Sequence, residues 1–172
     1  GYFELNGTTY SADLDGKYLV VQDNSDSNAI AAWSWSGGDY TLDTAVATQA
    51  EIDTYAFVHH VREWGQIHAP EVGMVTEKLT ARVNRSDLPC NAYYDGRINM
   101  QDPEGSCNDT GENADIVYHE WGHGFHYYSV QTGGVDGSVG EGAGDVVSIL
   151  QTGDPVLARY FYTNGSGIRE LD

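Results

Sequence analysis

Basic residues are scarce in this chain. Its 172 residues include 8 lysines and arginines against 26 aspartates and glutamates, which gives a formal net charge of −18. Nucleic acids and anionic membranes both need a positive surface, so neither is expected as a partner. An apolar run long enough to span a membrane is also missing. The chain starts at Gly1 without a basic and then apolar leader, so we expect that any signal peptide or pro-segment has been removed.

Cysteine is limited to Cys90 and Cys107, and there is no CxxC spacing that would indicate a thiolate metal site. Two interpretations remain, one disulfide in a secreted protein or two free thiols in a cytosolic one. The sequence favours the disulfide, which would close a loop and stabilise the fold by about 3 kcal/mol. We therefore expect an extracellular protein.

Calcium ligands in the pattern of an EF-hand are lacking too. Aspartates at Asp13, Asp15, Asp23 and Asp26 suggest calcium, but they have neither the spacing nor the closing glutamate of that loop. Turn formation explains them better. Calcium therefore stays a secondary alternative as a cofactor.

The most informative stretch that is present reads HEWGH. Residues four apart lie on one face of a helix, so His119 and His123 can converge on a single metal ion. Glu120 can then reach a water bound to that ion. This is the arrangement in which two histidines bind zinc and the glutamate is the general base of a hydrolysis.

The residues around this motif have the spacing of a helix. Apolar side chains recur with helical period, Asn113 is a suitable N-cap, and Gly133-Gly134 predicts the end. Gly122 and Gly124 each cost roughly 1 kcal/mol of helix propensity. Two such costs in one helix suggest that another helix or the metal site packs closely against it.

A third ligand follows at Glu141. A catalytic zinc commonly takes two histidines and one carboxylate, and Glu141 would complete that set. Asp145 lies one turn later on the same face, where it can accept the free N–H of a ligating histidine. Either acid alone would be better explained as a solvated charge in an acidic chain. The two together, at this distance after the HExxH motif, favour the metal site.

These motifs together resemble the gluzincin metallopeptidases, in particular the thermolysin and fungalysin branches. The resemblance is specific from about residue 88 to 152. The matching stretches are NAYYDG (91–96), DIVY (115–118), HEWGH (119–123), TGG with GSVGEG (132–134 and 137–142), and EGAGD (141–145).

The resemblance implies a role for each matching residue. His119, His123 and Glu141 would bind zinc, Glu120 would be the general base, and Asp145 would hydrogen-bond a zinc histidine. Asn91 and Ala92 would hydrogen-bond the backbone of a peptide substrate. An unpaired edge strand can capture an extended peptide in this way, although an ordinary hairpin with an Asp-Gly turn fits residues 91–96 as well.

Two features of the family have no match in this chain. The resemblance implies a downstream helical domain that supplies a further histidine to the tetrahedral intermediate, and we expect this chain to lack that domain, because residue 172 comes shortly after the second zinc helix. The assisting tyrosine of the loop between the zinc helices has no counterpart, because Gly133-Gly134 occupies that region. The residue that stabilises the oxyanion is therefore unassigned.

The predicted fold class is α+β, with an N-terminal β-rich sheet packed on the helices of the zinc site, a zincin-like lobe. Asn6-Gly7 predicts a hairpin. Residues 1–172 form one lobe, divided into a β-rich part (1–42), a helix (44–65), strands at 79–83 and 93–100 within a region of edge strand and disulfide loop (79–112), the zinc helices (113–152) and a short helix (156–162).

The sequence thus predicts a secreted zinc endopeptidase that acts on peptides or proteins. Three alternatives remain: a non-catalytic lobe stabilised by zinc, one piece of a longer peptidase that needs a C-terminal lobe or second chain, and an acidic binding domain with a chance HExxH motif. The intact Glu120 argues against the first, because a structural metal site needs no base.

Overall fold

The computed structural model describes residues 9–87, 89–130 and 137–171. The predictions for Asn6-Gly7 and Gly133-Gly134 lie outside these residues. No helix within the described ranges has the length and apolar character to cross a bilayer. The elements in chain order are β1 (Tyr10–Asp13), β2 (Leu19–Asp23), β3 (Ala32–Trp35), α1 (Gln49–His68), α2 (Gly73–Thr76), β4 (Leu79–Arg85), β5 (Ala92–Tyr94), β6 (Ile98–Gln101), α3 (Ala114–Val130), α4 (Gly137–Thr152), β7 (Val156–Leu157) and β8 (Arg169–Glu170).

The central sheet has four strands in the order β2-β4-β6-β5. β2 and β4 are parallel, so the chain must cross over between them. This connection includes α1, which covers one face of the pair. β6 is parallel to β4, and all four of its residues are buried. The sheet packs against α1 and α3. The α+β class predicted from the sequence is confirmed.

The edge of this sheet is a hairpin rather than one long strand. Tyr93 to Met100 was predicted as a single strand, but β5 and β6 are antiparallel and a turn joins them. Gly96 has a φ of 96° in that turn, a left-handed conformation that glycine adopts at little cost. The Asp-Gly turn therefore forms, and β5 is left as the free edge.

Helix α1 begins later and ends later than predicted. It was expected from 44 to 65, but Thr48 is the N-cap of a capping box with Glu51. The residues before it form a turn in which Asp43 accepts from the backbone of Ala45. Gly65, expected to end the helix, lies inside it and is buried, because Trp121 of α3 packs against its backbone.

The predicted helix from 156 to 162 is absent. Asp154 accepts from the Val156 amide at 2.9 Å and forms an ion pair with Arg159, which makes a local turn instead of a helix start. Ala158 and Tyr160 have φ values of 53° and 69°, which no right-handed helix contains. The segment forms β7 and an irregular loop, and β8 pairs with β7.

The disulfide between Cys90 and Cys107 is confirmed, with a Cα–Cα distance of 5.5 Å. The bond connects the start of β5 to the loop that follows β6.

We expect Gly65→Ala to destabilise the fold by about 1 kcal/mol, because overpacking costs 1–3 kcal/mol and exceeds the gain in helix propensity of about 1 kcal/mol. The new Cβ would lie 2.9 Å from side-chain atoms of both Trp121 and Val75. Chemical denaturation measures the change. Ile67→Ala, at a side chain that is 77% exposed, is the control and should stay within about 0.5 kcal/mol of the wild type. A Gly65→Ala variant as stable as the wild type would contradict this packing.

Candidate functional site

Helix α3 carries the three residues of the candidate metal group on one face. The potential ligand atoms of His119, Glu120 and His123 all lie within 4.8 Å of one another. His119 and Glu120 are buried, and His123 is half-buried. The face predicted from the HExxH spacing is thus present in the structure.

Helix α4 brings Glu141 to both histidines. Its Oε2 atom lies 3.4 Å from Nε2 of His119, and its Oε1 atom lies 3.5 Å from Nε2 of His123. Two ligands of a tetrahedral zinc at its usual bond lengths are about 3.4 Å apart. Each of these two contacts of Glu141 thus has the spacing of two ligands on one tetrahedral zinc.

Asp145 lies behind His119. Its Oδ1 atom is 2.9 Å from Nδ1 of His119, on the far side of the ring from Glu141. The two atoms lie at hydrogen-bond distance, but Nδ1 has no aligned hydrogen-bond partner among the described residues. Asp145 thus lies near Nδ1, the ring nitrogen through which a histidine that binds a metal by Nε2 donates to a further partner.

Arg169 is the residue of this group that the sequence analysis missed. It donates to both carboxylate oxygens of Asp145, at 3.0 Å through Nε and 2.6 Å through Nη2, and its Nη2 atom is 3.3 Å from Glu141. Its position follows from the pairing of β7 with β8, where Leu157 is opposite Arg169. No local spacing signals this contact, because 24 residues separate the arginine from Asp145.

Burial sets the protonation of the site. It lowers the pKa of His119 and of His123 below their ordinary value of 6.5, and the mutual repulsion of the two rings adds to the effect on His119. Both imidazoles are therefore neutral near pH 7, the form that binds metals. Burial, with repulsion from Glu141, raises the pKa of Glu120 to about 8.

One carboxylate oxygen at this site has no partner in the part of the chain that the structure describes. Oε2 of Glu120 is buried and accepts no hydrogen bond from the described residues. An unpartnered buried carboxylate is costly, so it marks a position where a cation or a water belongs. A divalent cation beside it would favour the ionised form of Glu120 and bring it into use as a base.

Glycines allow the two helices to approach closely enough for this geometry. A Cβ on Gly122 would lie 2.8 Å from the Cα of Gly144, so the backbones touch where α3 and α4 cross. A Cβ on Gly124 would collide with Met74 and Tyr94. The close packing that these helix glycines suggested is thus observed.

The candidate metal group opens into a cleft of about 970 Å³. One end is mainly apolar, and the other end is aromatic and polar. Asn91 and Ala92, predicted to bind substrate, line one wall. The lining residues at the apolar end are Ile116, Leu157, Phe161, Tyr162 and Ile168, next to Arg169; those at the other end are Tyr93, Tyr94, Asp95, Gly96, His126, Tyr127 and Tyr128.

Three of the remaining histidines, His59, His60 and His68, pack on aromatic rings. His59 contacts Tyr55, and His68 contacts Trp64. His126 differs, because it lines the cleft and its Nδ1 atom is buried without a partner among the described residues. Tyr128, also on α3, donates its hydroxyl hydrogen to Glu77 at 2.9 Å.

The free edge of β5 presents backbone groups to the cleft. The amide of Asp95 donates to the carbonyl of Arg97, so 95–97 is a hydrogen-bonded pair of the antiparallel ladder. Hydrogen-bonded and non-bonded pairs alternate, which makes Tyr93 the next bonded position. The N–H and C=O of Ala92 and Tyr94 therefore point away from β6. Asn91 reaches the cleft through its exposed side chain, because its amide donates to Gln101.

Comparisons with known proteins place this fold. No family model and no curated protein sequence matches the chain. Among solved structures, it is similar to the precursor of protealysin, a metalloproteinase from Serratia proteamaculans, with a TM-score of 0.71 at 14% sequence identity. The chain has a metallopeptidase-like fold. The match covers 93% of this chain but 55% of the protealysin precursor, so the chain spans about half the length of the structure it matches.

We expect Gly144→Ala to weaken zinc binding about 10- to 100-fold, the usual effect of disturbing the residues that orient a metal ligand. Its Cβ would lie 2.7 Å from Nδ1 of His119, so the ring must move. Gly142→Ala is the matched control, because it adds the same methyl group to the same helix where nothing lies within 4 Å. Competition with a chromogenic chelator measures both affinities. Equal affinity in the two variants would show that the ring is not fixed by this contact.

Proposed function

We propose that this protein is a secreted zinc-dependent endopeptidase of the gluzincin type. The observation that carries the proposal is the approach of Glu141 to the imidazole nitrogens of His119 and His123, at 3.4 and 3.5 Å, beside the unpartnered carboxylate oxygen of Glu120. The metallopeptidase-like fold and the open cleft support it. The disulfide supports an oxidising compartment outside the cytosol.

The residues present fit zinc better than a hard cation. Two neutral imidazoles and one carboxylate are a common zinc set, whereas calcium takes six to eight oxygen ligands. Zinc bound there would polarise the scissile carbonyl and lower the pKa of the attacking water. Asp145, held by Arg169, would fix the orientation of the His119 ring and raise the basicity of its Nε2 atom.

Glu120 is the proposed general base. It is buried, so solvent does not compete for its free oxygen, and it follows His119 directly on α3. It would accept a proton from the water as the water attacks the carbonyl carbon. Its raised pKa suits the next step, in which the protonated carboxyl gives that proton to the departing amine.

The substrate would bind as an added strand on β5. The outward N–H and C=O groups of Ala92 and Tyr94 would pair with an extended peptide, and the side chain of Asn91 would add a further hydrogen bond. Tyr94 joins the two residues predicted from the sequence because the register of the hairpin turns its backbone outward. Strand addition holds the peptide backbone whatever its sequence, as an endopeptidase requires.

The apolar end of the cleft would select one side chain of the substrate. Leu157 and Phe161 form its buried floor, and Ile168 lies at its rim. A large apolar side chain would remove water from these surfaces, whereas a charged one would lose hydration without a partner.

One observation favours a second arrangement, in which this chain is one part of a longer enzyme. Val146 and Leu150 lie one turn apart on α4, and each is more than half exposed. A further lobe or a second chain that covers this face would bury both and could complete the cleft. Co-purification and intact mass of the native protein distinguish a two-part enzyme from an independent one.

We expect Glu120→Gln to keep zinc but lose turnover by about 10²–10⁴-fold, the usual contribution of a general base. Glu63→Gln, at an exposed position of α1, is the matched control and should keep full activity. Peptide hydrolysis and elemental analysis are measured on the same samples. Activity in Glu120→Gln comparable to that of the wild type would refute the assignment of Glu120 as the base.

His123→Ala should instead lose zinc, because it removes one of three protein ligands. His68→Ala, at an exposed histidine of α1, should retain it. Full metal occupancy of His123→Ala by elemental analysis would refute this ligand.

We expect the native enzyme to cleave a peptide library with large apolar residues enriched at one position beside the scissile bond. Ile168→Asn should weaken that enrichment several-fold, since one buried apolar side chain is worth 1–3 kcal/mol. Ile67→Asn, exposed on α1, is the control. Mass spectrometry of the products identifies the cleavage sites, and an unchanged pattern in Ile168→Asn would contradict the role of this end of the cleft.

A further inference from the structure

The disulfide connects the start of the edge strand β5 to Cys107, a buried residue of the loop after β6. Cys90 is exposed, lines the cleft and directly precedes Asn91. Its φ of 51° is a left-handed conformation that non-glycine residues rarely adopt. The backbone therefore turns sharply at Cys90 into the free edge of β5.

The other half of the bond lies next to Phe161 and Tyr162, which belong to the apolar end of the cleft. Cys107 is 1% exposed and forms a backbone bridge with Tyr162. On either side of it, Asn108 donates its amide hydrogen to the carbonyl of Phe161 at 2.8 Å, and Thr163 donates to the carbonyl of Ser106 at 2.9 Å.

Phe161 and Tyr162 belong to the segment 158–163, which we call the apolar wall and which has little regular structure of its own. Between β7 and β8 it is irregular, and its backbone contacts with residues 106–108 hold Phe161 and Tyr162 in the cleft. A side-chain contact adds to this attachment, because Nδ2 of Asn108 donates to the carbonyl of Tyr160 at 2.7 Å. A displacement of Cys107 would therefore also displace this wall.

We propose that the Cys90–Cys107 disulfide is a positioning clamp that fixes the edge strand relative to the apolar wall. It sets the width of the cleft for an extended peptide without taking part in metal binding. The metal group is held by the contact between Gly122 and Gly144, and the ion pair of Asp145 with Arg169 is anchored by the pairing of β8 with β7. The activity part of this proposal rests on the proposed peptidase function, whereas the mechanical part does not.

The first test compares the native protein with Cys90→Ser/Cys107→Ser. We expect KM for a peptide substrate to rise about tenfold, which corresponds to about 1.4 kcal/mol, or roughly one backbone hydrogen bond lost between the peptide and a displaced edge strand. We expect kcat to stay within about twofold and zinc affinity to be unchanged, because neither the metal ligands nor Glu120 moves. Gly65→Ala is the control for a general loss of stability and should leave KM unchanged. A parallel loss of zinc, or an unchanged KM, would overturn the clamp.

The second test needs no activity. Hydrogen exchange should become faster at the amides of Asn91, Asn108 and Thr163 when the disulfide is absent, while the amide of Trp121 in α3 stays protected. Faster exchange on one wall alone, or on neither, would overturn the coupling. If the native protein hydrolyses no peptide, the proposed function fails, and this exchange pattern still decides the clamp.

Reduction and reoxidation of the native protein give a measurement that does not depend on the folding of the variant. We expect exchange at Asn91 and Thr163 to rise on reduction and to return on reoxidation. Exchange that rises equally throughout α3 would show a global stabilising role instead and would overturn the proposal.

Discussion

The crossing of α3 and α4 is the contact on which the candidate site depends. At Gly122 and Gly144 the two backbones touch without intervening side chains, and the ring of His119 lies against Gly144. Glu141 and Asp145 lie close to this point on α4, so the crossing brings both carboxylates to the imidazoles. The cost of glycine in a helix is therefore offset by the geometry that it permits.

Local spacing explains how much of this site could be predicted. His119 and His123 are neighbours because any helix places residues four apart together, and the same rule relates Glu141 to Asp145. Arg169 could not be predicted in this way, because a two-stranded pairing far along the chain brings it to Asp145. The β5 edge was predicted from its sequence, but the outward direction of Tyr94 depends on the register of the hairpin.

The wrong boundaries have similar causes. The segment from 156 to 162 has apolar residues at helical spacing. The side chain of Asp154, however, accepts hydrogen bonds from the Val156 amide and from Arg159, and these contacts form a turn instead. Helix α1 starts at the capping box of Thr48, although residues 44–47 are compatible with a helix by composition. Gly65 resembles a helix end in the sequence, but Trp121 requires its small volume. In each case a contact that helix propensity does not take into account determined where the helix begins or ends, or whether it forms.

The density of negative charge around the crossing has a consequence for how the fold assembles. Two carboxylates, those of Glu141 and Asp145, approach the buried carboxyl of Glu120 as α3 and α4 close, and this crowding of acidic groups opposes the last step. Among the described residues that line the cleft, Arg169 is the permanent cation. It arrives through the pairing of β8 with β7, two strands that follow both helices in the chain. This strand pair therefore supplies the helices with a built-in counter-ion, and it ties their final closure to a segment synthesised after them.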